Sequence, residues 1–330
     1  MQRKPLTTCV SVLYILNWLT LKEFNRTFMP LAEIFVPAVI SKVQTIDPGE
    51  IRLVALTLHE EYEIDGHCYP VHDAIRPGNA FLARPLGART GKMRRRMYTR
   101  SNCASTTPRV LETIINHTHE ARADTSIWWQ TDQVETLQQA GGTIDVRMHF
   151  DPERRHLLVS ENSATCQPRN LRLEPDDEWP AMRFVAIALS TGITPFLAHL
   201  RYMKALDFGR AQHPPGCHFT LIASVRNPRQ LMEHDELLEL ERMFPENVRY
   251  YPVLTREWPP DWPYGKGRII RVKEGPGGEA QIDLKPLLDI VPDLQHVHLR
   301  MCGNAECRDQ LQLGLRQHGV NALSFRSEVW

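Results

Sequence analysis

The second half of the chain alternates short apolar runs with amphipathic stretches, and this alternation restricts the fold more than any other feature. The patterns typical of buried strands are MRFVAIAL, HFTLIASV, VRYYPVLT and HVHLRMCG. The patterns typical of helices are TPFLAHLRYMKAL, QLMEHDELLELERMF and AECRDQLQLGLRQHG. Strands that alternate with helices predict parallel βαβ units in a doubly wound α/β domain, which binds ligands at the carboxyl ends of its strands.

The first half of the chain has a different rhythm. From AEIFVPAVISKVQTIDPGEIRLVALTL onward, short β-rich runs are separated by the turn sequences DPGE, DGH and RPGN, as far as RRHLLVSEN. This pattern predicts an antiparallel β-barrel, with TPRVLETIINHTHEARADTSIWWQTDQ interpreted as an inserted helix and a loop. The predicted domains are therefore an N-terminal extension at 1–28, a β-barrel at 29–180 and an α/β domain at 181–330.

Composition excludes several classes of protein. The 39 Lys and Arg balance the 39 Asp and Glu, so no basic excess is available to bind nucleic acid. The seven cysteines are scattered and odd in number, which favours unpaired thiols and a cytoplasmic location. The N-terminal run CVSVLYILNWLTL is shorter than the roughly 20 residues of a membrane-spanning helix, so we expect no membrane insertion.

The sequence LSTGITPF joins the first predicted strand of the α/β domain to its helix. Ser190, Thr191 and Gly192 form a tight turn whose free amides suit a diphosphate, and Pro195 fits the first helical turn, where no amide donor is needed. Gly and Pro also mark strand-to-helix turns that bind nothing. The turn by itself therefore leaves a diphosphate site and a plain connection both open.

A second polar stretch, LTREWPPDWPYGKGRI, follows another predicted strand. Thr255 and Arg256 lie just past the strand end, and Tyr264, Lys266 and Arg268 follow a proline-rich loop. A hydroxyl, a guanidinium and an aromatic ring together suit a ribose phosphate and a purine. The alternative interpretation is a solvated basic loop.

Two further patterns bear on possible metal or thiol chemistry. Cys302 and Gly303 in RMCGNAEC end another strand of the same sheet, near the same crevice, although a cysteine here is more often a small core residue. The histidine pairs in NHTH and HVH have no carboxylate or cysteine to complete a ligand set, so no metal site is expected.

Five motifs in order, RMYT, STGITPF, LTRE, MCGN and the terminal EVW, resemble those of the ferredoxin–NADP reductase family. Members of this family combine an FAD-binding β-barrel with a nucleotide-binding α/β domain. The resemblance implies FAD and NADP as cofactors, and electron flow between NADPH and a ferredoxin or flavodoxin-type carrier. It implies hydride transfer from NADPH C4 to flavin N5, followed by single-electron steps.

The resemblance also implies roles for residues on the flavin side. Arg96 neutralises the FAD diphosphate, Tyr98 lies against the flavin, and Thr99 places its hydroxyl near flavin N5. The resemblance implies that Ser101, in the same segment, also contacts the cofactor. Trp330 stacks on the flavin where the nicotinamide must arrive.

On the nucleotide side, the resemblance assigns the diphosphate to the turn after the first strand and the adenosine to the ends of the next two strands. These cofactor-binding positions are Thr191, Gly192, Ser224, Arg226, Thr255, Arg256, Tyr264, Arg268 and Gly303. Arg256 in particular favours NADPH over NADH. Cys302 and Glu328 join Thr99 and Trp330 as the residues that tune hydride transfer.

One family motif is missing from its expected place. The glycine followed by Ser or Thr that binds the FAD diphosphate has no match, and Thr106 and Thr107, ahead of an expected helix, are the substitutes that the sequence offers. This gap supports an alternative, a flavin-poor relative that acts as a nucleotide-sensing or scaffold subunit of a redox complex. Arg94 to Arg96 form either a docking patch for an acidic carrier or a solvated basic run.

Overall fold

The computed structural model describes residues 32–73, 75–117, 124–151, 154–159, 171–275 and 277–329. The predicted N-terminal extension at 1–28 and the predicted flavin lid, Trp330, lie outside these ranges. The described residues form two units connected by the segment that begins at residue 171. The first strand of the second unit starts at Arg183. The predicted domain boundary, after residue 180, lies within the connecting segment and stays a prediction.

The first unit is a curled, mostly antiparallel sheet, as predicted. Its hydrogen-bonded path runs β3-β4-β9-β8-β1-β2-β7, and β5 pairs with both β6 and β8. Only β4 and β9 among the described pairs of this sheet run parallel. The strands β1 to β9 are Ala32–Asp47, Ile51–Thr57, Glu61–Ile64, His67–Asp73, Ala80–Ala83, Arg96–Thr99, Val110–Asn116, Thr143–Asp151 and His156–Val159.

The long strand β1 shows why this unit curls around its own core. Val36, Ala38 and Ile40 are at most 4% exposed, whereas the residues between them are half-buried or exposed. This period of two places one face of β1 inside the unit, against Val146 of β8. The alternation is the signal that identified the domain as antiparallel β.

The stretch predicted as an inserted helix with a loop contains the helix Asp124–Trp129 but begins with a strand, so that interpretation was wrong for its first part. Strand β7 pairs with β2, with Ile114 opposite Leu53. Ile114 packs into a core shared with the second unit, and Ile115 packs into the core of the first. A strand buried on both faces has no alternation to distinguish it from a helix. Two short helices follow β7, namely α1 at Asp124–Trp129 and α2 at Asp132–Gln139.

The second unit is the predicted parallel α/β domain. Its six-stranded sheet has the order β13-β12-β11-β10-β16-β17, and every neighbouring pair is parallel. The strands β10 to β17 are Arg183–Leu189, His218–Val225, Val248–Leu254, Gly265–Lys266, Arg271–Glu274, Ala280–Asp283, His298–Gly303 and Ser324–Val329. The helices α3 to α6 are Thr194–Ala205, His234–Met243, Lys285–Ile290 and Ala305–Gln317.

Each predicted strand and helix of this domain is present, and five elements were not anticipated, namely the two-residue strand β13, the hairpin strands β14 and β15, helix α5 and strand β17. Strand β17 lies at the edge of the sheet, so its residues are half exposed and do not form an apolar run. The small hairpin β14–β15 exposes every residue of its first strand. Helix α5 is a short helix of six residues. Exposed, short elements lack the periodic burial on which sequence interpretation depends.

The two faces of the parallel sheet are covered differently. Helices α3 and α4 cover one face and share a core with the first unit. Helices α5 and α6 cover the opposite face. The shared core includes Leu200, Leu237 and Leu240 from the second unit and Ile51, Leu53 and Ile114 from the first. No helix within the described ranges is both long and apolar enough to cross a membrane.

Candidate functional site

The candidate site lies along the carboxyl edge of the parallel sheet. Because β10, β11, β12 and β16 are parallel neighbours, the segments that follow them all emerge at this edge. The turn with Thr191 and Gly192 follows β10, Arg226 follows β11, Thr255 and Arg256 follow β12, and Cys302 ends β16. The structure therefore brings together residues that the sequence scatters over more than a hundred positions.

The turn after β10 is a tight 3₁₀ turn at Ser190–Ile193 that leads directly into α3. Ser190 has φ of 50°, a left-handed conformation that glycine adopts without strain. Thr194 closes the turn by donating its hydroxyl to the Thr191 carbonyl at 2.6 Å. Pro195 lies in the first turn of α3, as predicted.

Two arginines stand side by side at the ends of β11 and β12. The amide of Arg256 donates to the carbonyl of Arg226 at 3.0 Å, which holds the two backbones together. Thr255 fixes this junction by donating its amide and its hydroxyl to the Val225 carbonyl, at 2.8 and 3.0 Å. Both guanidinium groups are exposed and have no ion pair or hydrogen bond with any described residue. Ser224, at the end of β11, is 8% exposed.

Aromatic side chains border this pair of arginines. Tyr264 is half-buried, with its ring centroid 5.2 Å from that of Trp262 in an edge-to-face arrangement. The indole of Trp262 donates to the Gly265 carbonyl at 3.1 Å, which fixes its orientation. Arg268 is exposed a few residues further on. Tyr264 thus has one ring edge supported and remains partly open to solvent, as a stacking platform requires.

Cys302 and Glu328 are direct neighbours on the strands β16 and β17. They are 6% and 9% exposed. Glu328 Oε1 accepts a hydrogen bond from the Leu171 amide at 3.4 Å. At Gly303 a Cβ atom would lie 2.7 Å from Leu189, so only glycine allows β16 to end this close to β10.

Leu171 connects Glu328 to the first unit. Its carbonyl accepts a hydrogen bond from His199 Nε2 at 2.8 Å. A Cβ at Gly78, whose φ is 84°, would lie 2.0 Å from the same carbonyl, so this turn requires glycine. Gly78 lies two residues before β5, in which Ala80 is opposite Thr99 of β6. The residues predicted to tune hydride transfer, Thr99 and Glu328, are therefore linked through a few direct contacts.

Strand β6 carries the predicted flavin motif on a half-buried surface. Tyr98 packs on Phe81 at 5.8 Å between ring centroids, and its hydroxyl accepts the indole N–H of Trp129 at 2.9 Å. Burial raises the pKa of Tyr98, against smaller lowering effects of the Trp129 hydrogen bond and the Arg96 charge. The phenol is therefore neutral at physiological pH and is held in one orientation.

Helix α1 contributes a residue that the sequence interpretation missed. Arg96 Nε donates to the Thr125 hydroxyl at 3.2 Å, and Ser126, next in the helix, is half-buried. Asp124 anchors this end of the helix by accepting from the Arg89 amide at 2.7 Å and the Thr90 hydroxyl at 2.8 Å. The cluster of Asp, Thr and Ser at the start of a helix was the available signal in the sequence.

The substitutes proposed from the sequence, Thr106 and Thr107, precede the strand β7 and not a helix, so that part of the prediction was wrong. Both hydroxyls are used within their own loop. Thr106 donates to the Cys103 carbonyl at 3.3 Å, and Thr107 accepts from Asn102 Nδ2.

Ser101 lies at the junction between the units, where its side chain is fully buried. Its hydroxyl donates to Glu112 at 2.7 Å, and its carbonyl accepts from Arg201 of α3 at 3.1 Å. Arg201 also forms ion pairs with Glu112 at 2.6 Å and with Glu236 at 2.5 Å. The structure thus places Ser101 in a network that fastens α3 to the first unit, with no side-chain surface directed at a ligand.

A second buried network supports β16 and β17 below Cys302 and Glu328. Arg300, 1% exposed, forms an ion pair with Glu174 of the connecting segment and donates to the Ser324 hydroxyl at 2.8 Å. Arg326, opposite Arg300, reaches the same oxygen of Glu174 at 3.1 Å. The last strand is therefore fixed along its length up to Glu328.

Comparison with known proteins agrees with this geometry. Residues 187–307 match the family model of the oxidoreductase NAD-binding domain. No curated protein sequence gives a significant match. Among solved structures, the reductase GcoB of Amycolatopsis has a TM-score of 0.59 and 19% identity, covering 92% of this chain and 71% of that chain.

Two other solved structures have comparable TM-scores. The FAD/NAD-binding domain of nitric oxide dioxygenase from Vibrio cholerae has a TM-score of 0.56 and 14% identity, over 89% of this chain and 98% of that one. The cytochrome b5 reductase domain of Ulva prolifera nitrate reductase has a TM-score of 0.53 and 17% identity, over 89% and 97%. The resemblance to the ferredoxin–NADP reductase family is thus confirmed for the fold and for an oxidoreductase nucleotide-binding domain.

Proposed function

We propose that this chain is a flavin-dependent reductase that passes electrons from NADPH, through FAD, to a one-electron carrier of the ferredoxin or flavodoxin type. The observation that carries the proposal is the set of residues at the carboxyl edge of the parallel sheet. The first unit carries Arg96 and Tyr98 on its strand β6, and residues 187–307 match an oxidoreductase NAD-binding domain. Hydride donation by NADPH and single-electron output require such a pair of nucleotide sites.

The donor set on the β-unit fits FAD. Arg96 offers a half-exposed guanidinium that uses Nε for Thr125 and Nη1 for the Arg95 carbonyl, so Nη2 and part of the remaining fork are available to a phosphate. Thr125, which is 3% exposed, holds the Arg96 side chain in place, and half-buried Ser126 adds a hydroxyl group beside it. Tyr98 offers a neutral, fixed aromatic ring for a flavin. When bound, FAD converts two-electron chemistry into single-electron transfer.

NADPH is preferred over NADH because Arg226 and Arg256 are held together without any acidic partner among the described residues. The two backbones are in contact through the 3.0 Å bond from the Arg256 amide to the Arg226 carbonyl, and both side chains are exposed. A dianionic phosphate bound at this junction would gain from both positive charges. Tyr264 supplies the neighbouring ring for adenine. The two hydrogen bonds of Thr255 hold this junction in place, which favours a preformed site over the alternative from the sequence, a solvated basic loop.

At the reacting centre the chain supplies alignment and exclusion of water. Cys302 and Glu328 are almost fully buried, and Thr99 is half-buried on the opposite unit. Glu328 is oriented by the Leu171 amide, so its carboxylate keeps a fixed position relative to β5 and β6. Orientation of donor and acceptor is the main contribution that a protein makes to hydride transfer. Trp330, outside the described residues, keeps its proposed role as a displaceable ring on the flavin.

The carrier would dock on a basic loop, residues 84–95, that precedes the flavin motif. Arg89, Lys92 and Arg94 are exposed, and Met93 between them is 54% exposed. Arg84 and Arg95 sit over the Phe35 ring, with their guanidinium carbons 4.8 and 5.2 Å from its centroid, and Arg84 is also paired with Asp145. A basic surface with an apolar centre suits an acidic carrier, because opposite charge accelerates encounter. The exposed cations of this loop are Arg89, Lys92, Arg94 and Arg95.

The proposed function is tested by measuring carrier reduction under anaerobic conditions. The purified protein, supplied with FAD and NADPH, is mixed with a ferredoxin or a flavodoxin, and the reduced carrier is followed by absorbance. We expect turnover that requires NADPH and that slows steeply as ionic strength rises. NADPH oxidation without reduction of either carrier would remove the carrier assignment. Failure to bind FAD would favour the alternative of a flavin-poor scaffold subunit.

A further inference from the structure

A cavity of about 300 Å³ opens at the amino edge of the parallel sheet, opposite to the nucleotide site. We refer to it as the amino-edge cavity. Its floor is formed by the first residues of β10, β11 and β12, and its wall by the end of α5 and the segment that follows. The lining residues used below are Arg183, Val185, His218, Thr220, Arg249 and Val291.

Strand register places the polar lining residues on one face. Arg183 is opposite His218, Val185 is opposite Thr220, and Thr220 is opposite Arg249. In neighbouring strands, paired residues point to the same side of the sheet. This side is the one covered by α5 and α6, because Val185 packs in their core. The polar groups at the amino ends of β11 and β12 line the cavity together with Ile290, the last residue of α5.

Three of these polar groups have hydrogen-bonding capacity that no described residue uses. The imidazole of His218 is half-buried, and the hydroxyl of Thr220 belongs to a residue that is 7% exposed. The guanidinium of Arg249 makes no ion pair with any residue in the described ranges. Arg249 is exposed and its guanidinium is solvated, so the unused groups with limited access to solvent are those of half-buried His218 and buried Thr220. Such groups are costly unless a ligand or water satisfies them.

The charge of the cavity favours an anion. Arg183 is neutralised by Asp293, whose carboxylate lies 2.7 Å away. Exposed Arg249 has no such partner among the described residues, so one positive charge of the lining is not compensated by them. The apolar residues of the lining include Val185, Ile290 and Val291. A volume near 300 Å³ lies at the small end of ligand sites in proteins.

We propose that the amino-edge cavity binds a small organic carboxylate, with its carboxylate group against Arg249, His218 and Thr220 and its compact apolar body against the aliphatic wall. The donors match the two oxygens of a carboxylate, and the wall excludes a fully hydrated inorganic anion. This site is distinct from the nucleotide site. Strand β11 has eight residues, so its two ends are roughly 25 Å apart at about 3.3 Å per residue.

Burial, and next the charges of Arg183 and Arg249, lower the pKa of His218, and the charge of Asp293 opposes them. These are the charged groups that act on the ring. A bound carboxylate adds a negative charge beside the imidazole and so favours its protonated form. Binding is therefore expected to raise the pKa of His218, which gives a readout that does not depend on catalysis.

The test is a calorimetric titration of the full-length protein with benzoate at pH 7. We expect saturable binding of one benzoate, with a dissociation constant on the order of 1 mM or lower for so small a ligand. Benzyl alcohol, which has the same ring without the charge, and sulfate, which has the charge without the ring, are expected to bind at least roughly ten-fold more weakly. Equal binding of either one, or no binding of benzoate, would overturn the proposal.

Substitutions of two lining residues test whether benzoate binds in the amino-edge cavity. Arg249→Gln is expected to weaken benzoate roughly ten-fold, and Thr220→Val roughly five-fold, because each removes one donor to the carboxylate. Arg242→Gln is the matched control, since Arg242 is an exposed arginine on α4 that pairs with Glu239 and lies outside the cavity. An equal loss in the control would show nonspecific attraction and refute the site.

Two further measurements separate this proposal from the proposed function. Saturating NADPH should leave the benzoate affinity unchanged, and displacement of benzoate by NADPH would place the ligand at the other edge of the sheet. Titration of the His218 ring by NMR should show a higher pKa with benzoate than without it. An unchanged His218 pKa would also refute the placement, whether or not the protein reduces any carrier.

Discussion

Replacing Arg256 by glutamine should change the choice between NADPH and NADH without disturbing the fold. The guanidinium of Arg256 is exposed and has no partner in the described part of the chain, so its loss removes no internal contact. The backbone of residue 256 is held by its amide bond to the Arg226 carbonyl, which the substitution keeps. The effect should therefore appear in nucleotide recognition alone.

The size of the effect follows from the exposure of the site. A hydrogen bond to a charged group contributes about 1.5 to 3 kcal/mol. An exposed guanidinium lies at the low end of this range because water and salt screen it, and Arg226 remains to hold the phosphate. About 1.5 to 2 kcal/mol corresponds to a roughly 10- to 30-fold loss of kcat/KM for NADPH. For NADH, which lacks the phosphate, the change should stay within about two-fold.

The assay is steady-state reduction of an artificial acceptor, ferricyanide, with each nucleotide in turn. Arg242→Gln removes an exposed positive charge elsewhere on the same unit and serves as the control. Equal losses of kcat/KM with NADPH and NADH would refute the contact between Arg256 and the phosphate. An equal loss of NADPH activity in the control would show that the effect is only a long-range charge effect.

Four other substitutions test the structure. Arg201→Met should lower the free energy of unfolding by about 3 kcal/mol in urea, because it leaves the partly buried carboxylates at the junction without a cation; a loss below about 1 kcal/mol would contradict this. Arg96→Gln should weaken FAD binding roughly ten-fold and Thr125→Val roughly five-fold, measured by the fluorescence of released flavin, and unchanged affinities would remove the diphosphate assignment. Burial lowers the pKa of His199 to about 4, so stability should be complete above pH 6.5 and should fall by up to about 3 kcal/mol as pH drops to 4. His199→Gln should abolish this dependence, and an identical pH profile in the variant would refute it.

The α/β unit was largely predictable because its signals are local. Strands such as Arg183–Leu189 are buried on both faces and read as continuous apolar runs, and the helices between them carry one apolar face. The positions at the strand ends follow from topology, since parallel strands all end at one edge. Predicting Thr191, Arg226 and Arg256 as neighbours needed only the strand assignments.

The flavin side was less predictable because its contacts depend on tertiary structure. Arg96 meets Thr125 across 29 residues, and the chain between them includes a strand that resembled a helix. The local sequence pattern indicated Thr106 and Thr107, which are closer in sequence to the flavin motif than Thr125 is. Their hydroxyl groups form hydrogen bonds within their own loop. Which of two hydroxyl clusters faces a guanidinium is decided by packing that no local pattern encodes.

The junction between the units could not be predicted at all from pattern. Arg201, on the helix predicted as a plain amphipathic element, reaches Glu112 on β7 from 89 residues away. Arg300 occupies a position in an otherwise apolar strand and is neutralised by Glu174, 126 residues earlier. A buried charge is tolerated only with its partner, and the partner is visible only in three dimensions.

The most direct test of the central claim is the visible absorption spectrum of the purified protein, recorded without oxygen before and after addition of NADPH. The proposed reductase should show flavin absorption bands, either as purified or after addition of FAD and removal of the excess. These bands should bleach when NADPH is added. A protein that stays colourless and retains no FAD would contradict the claim and favour a flavin-poor subunit of a larger redox complex.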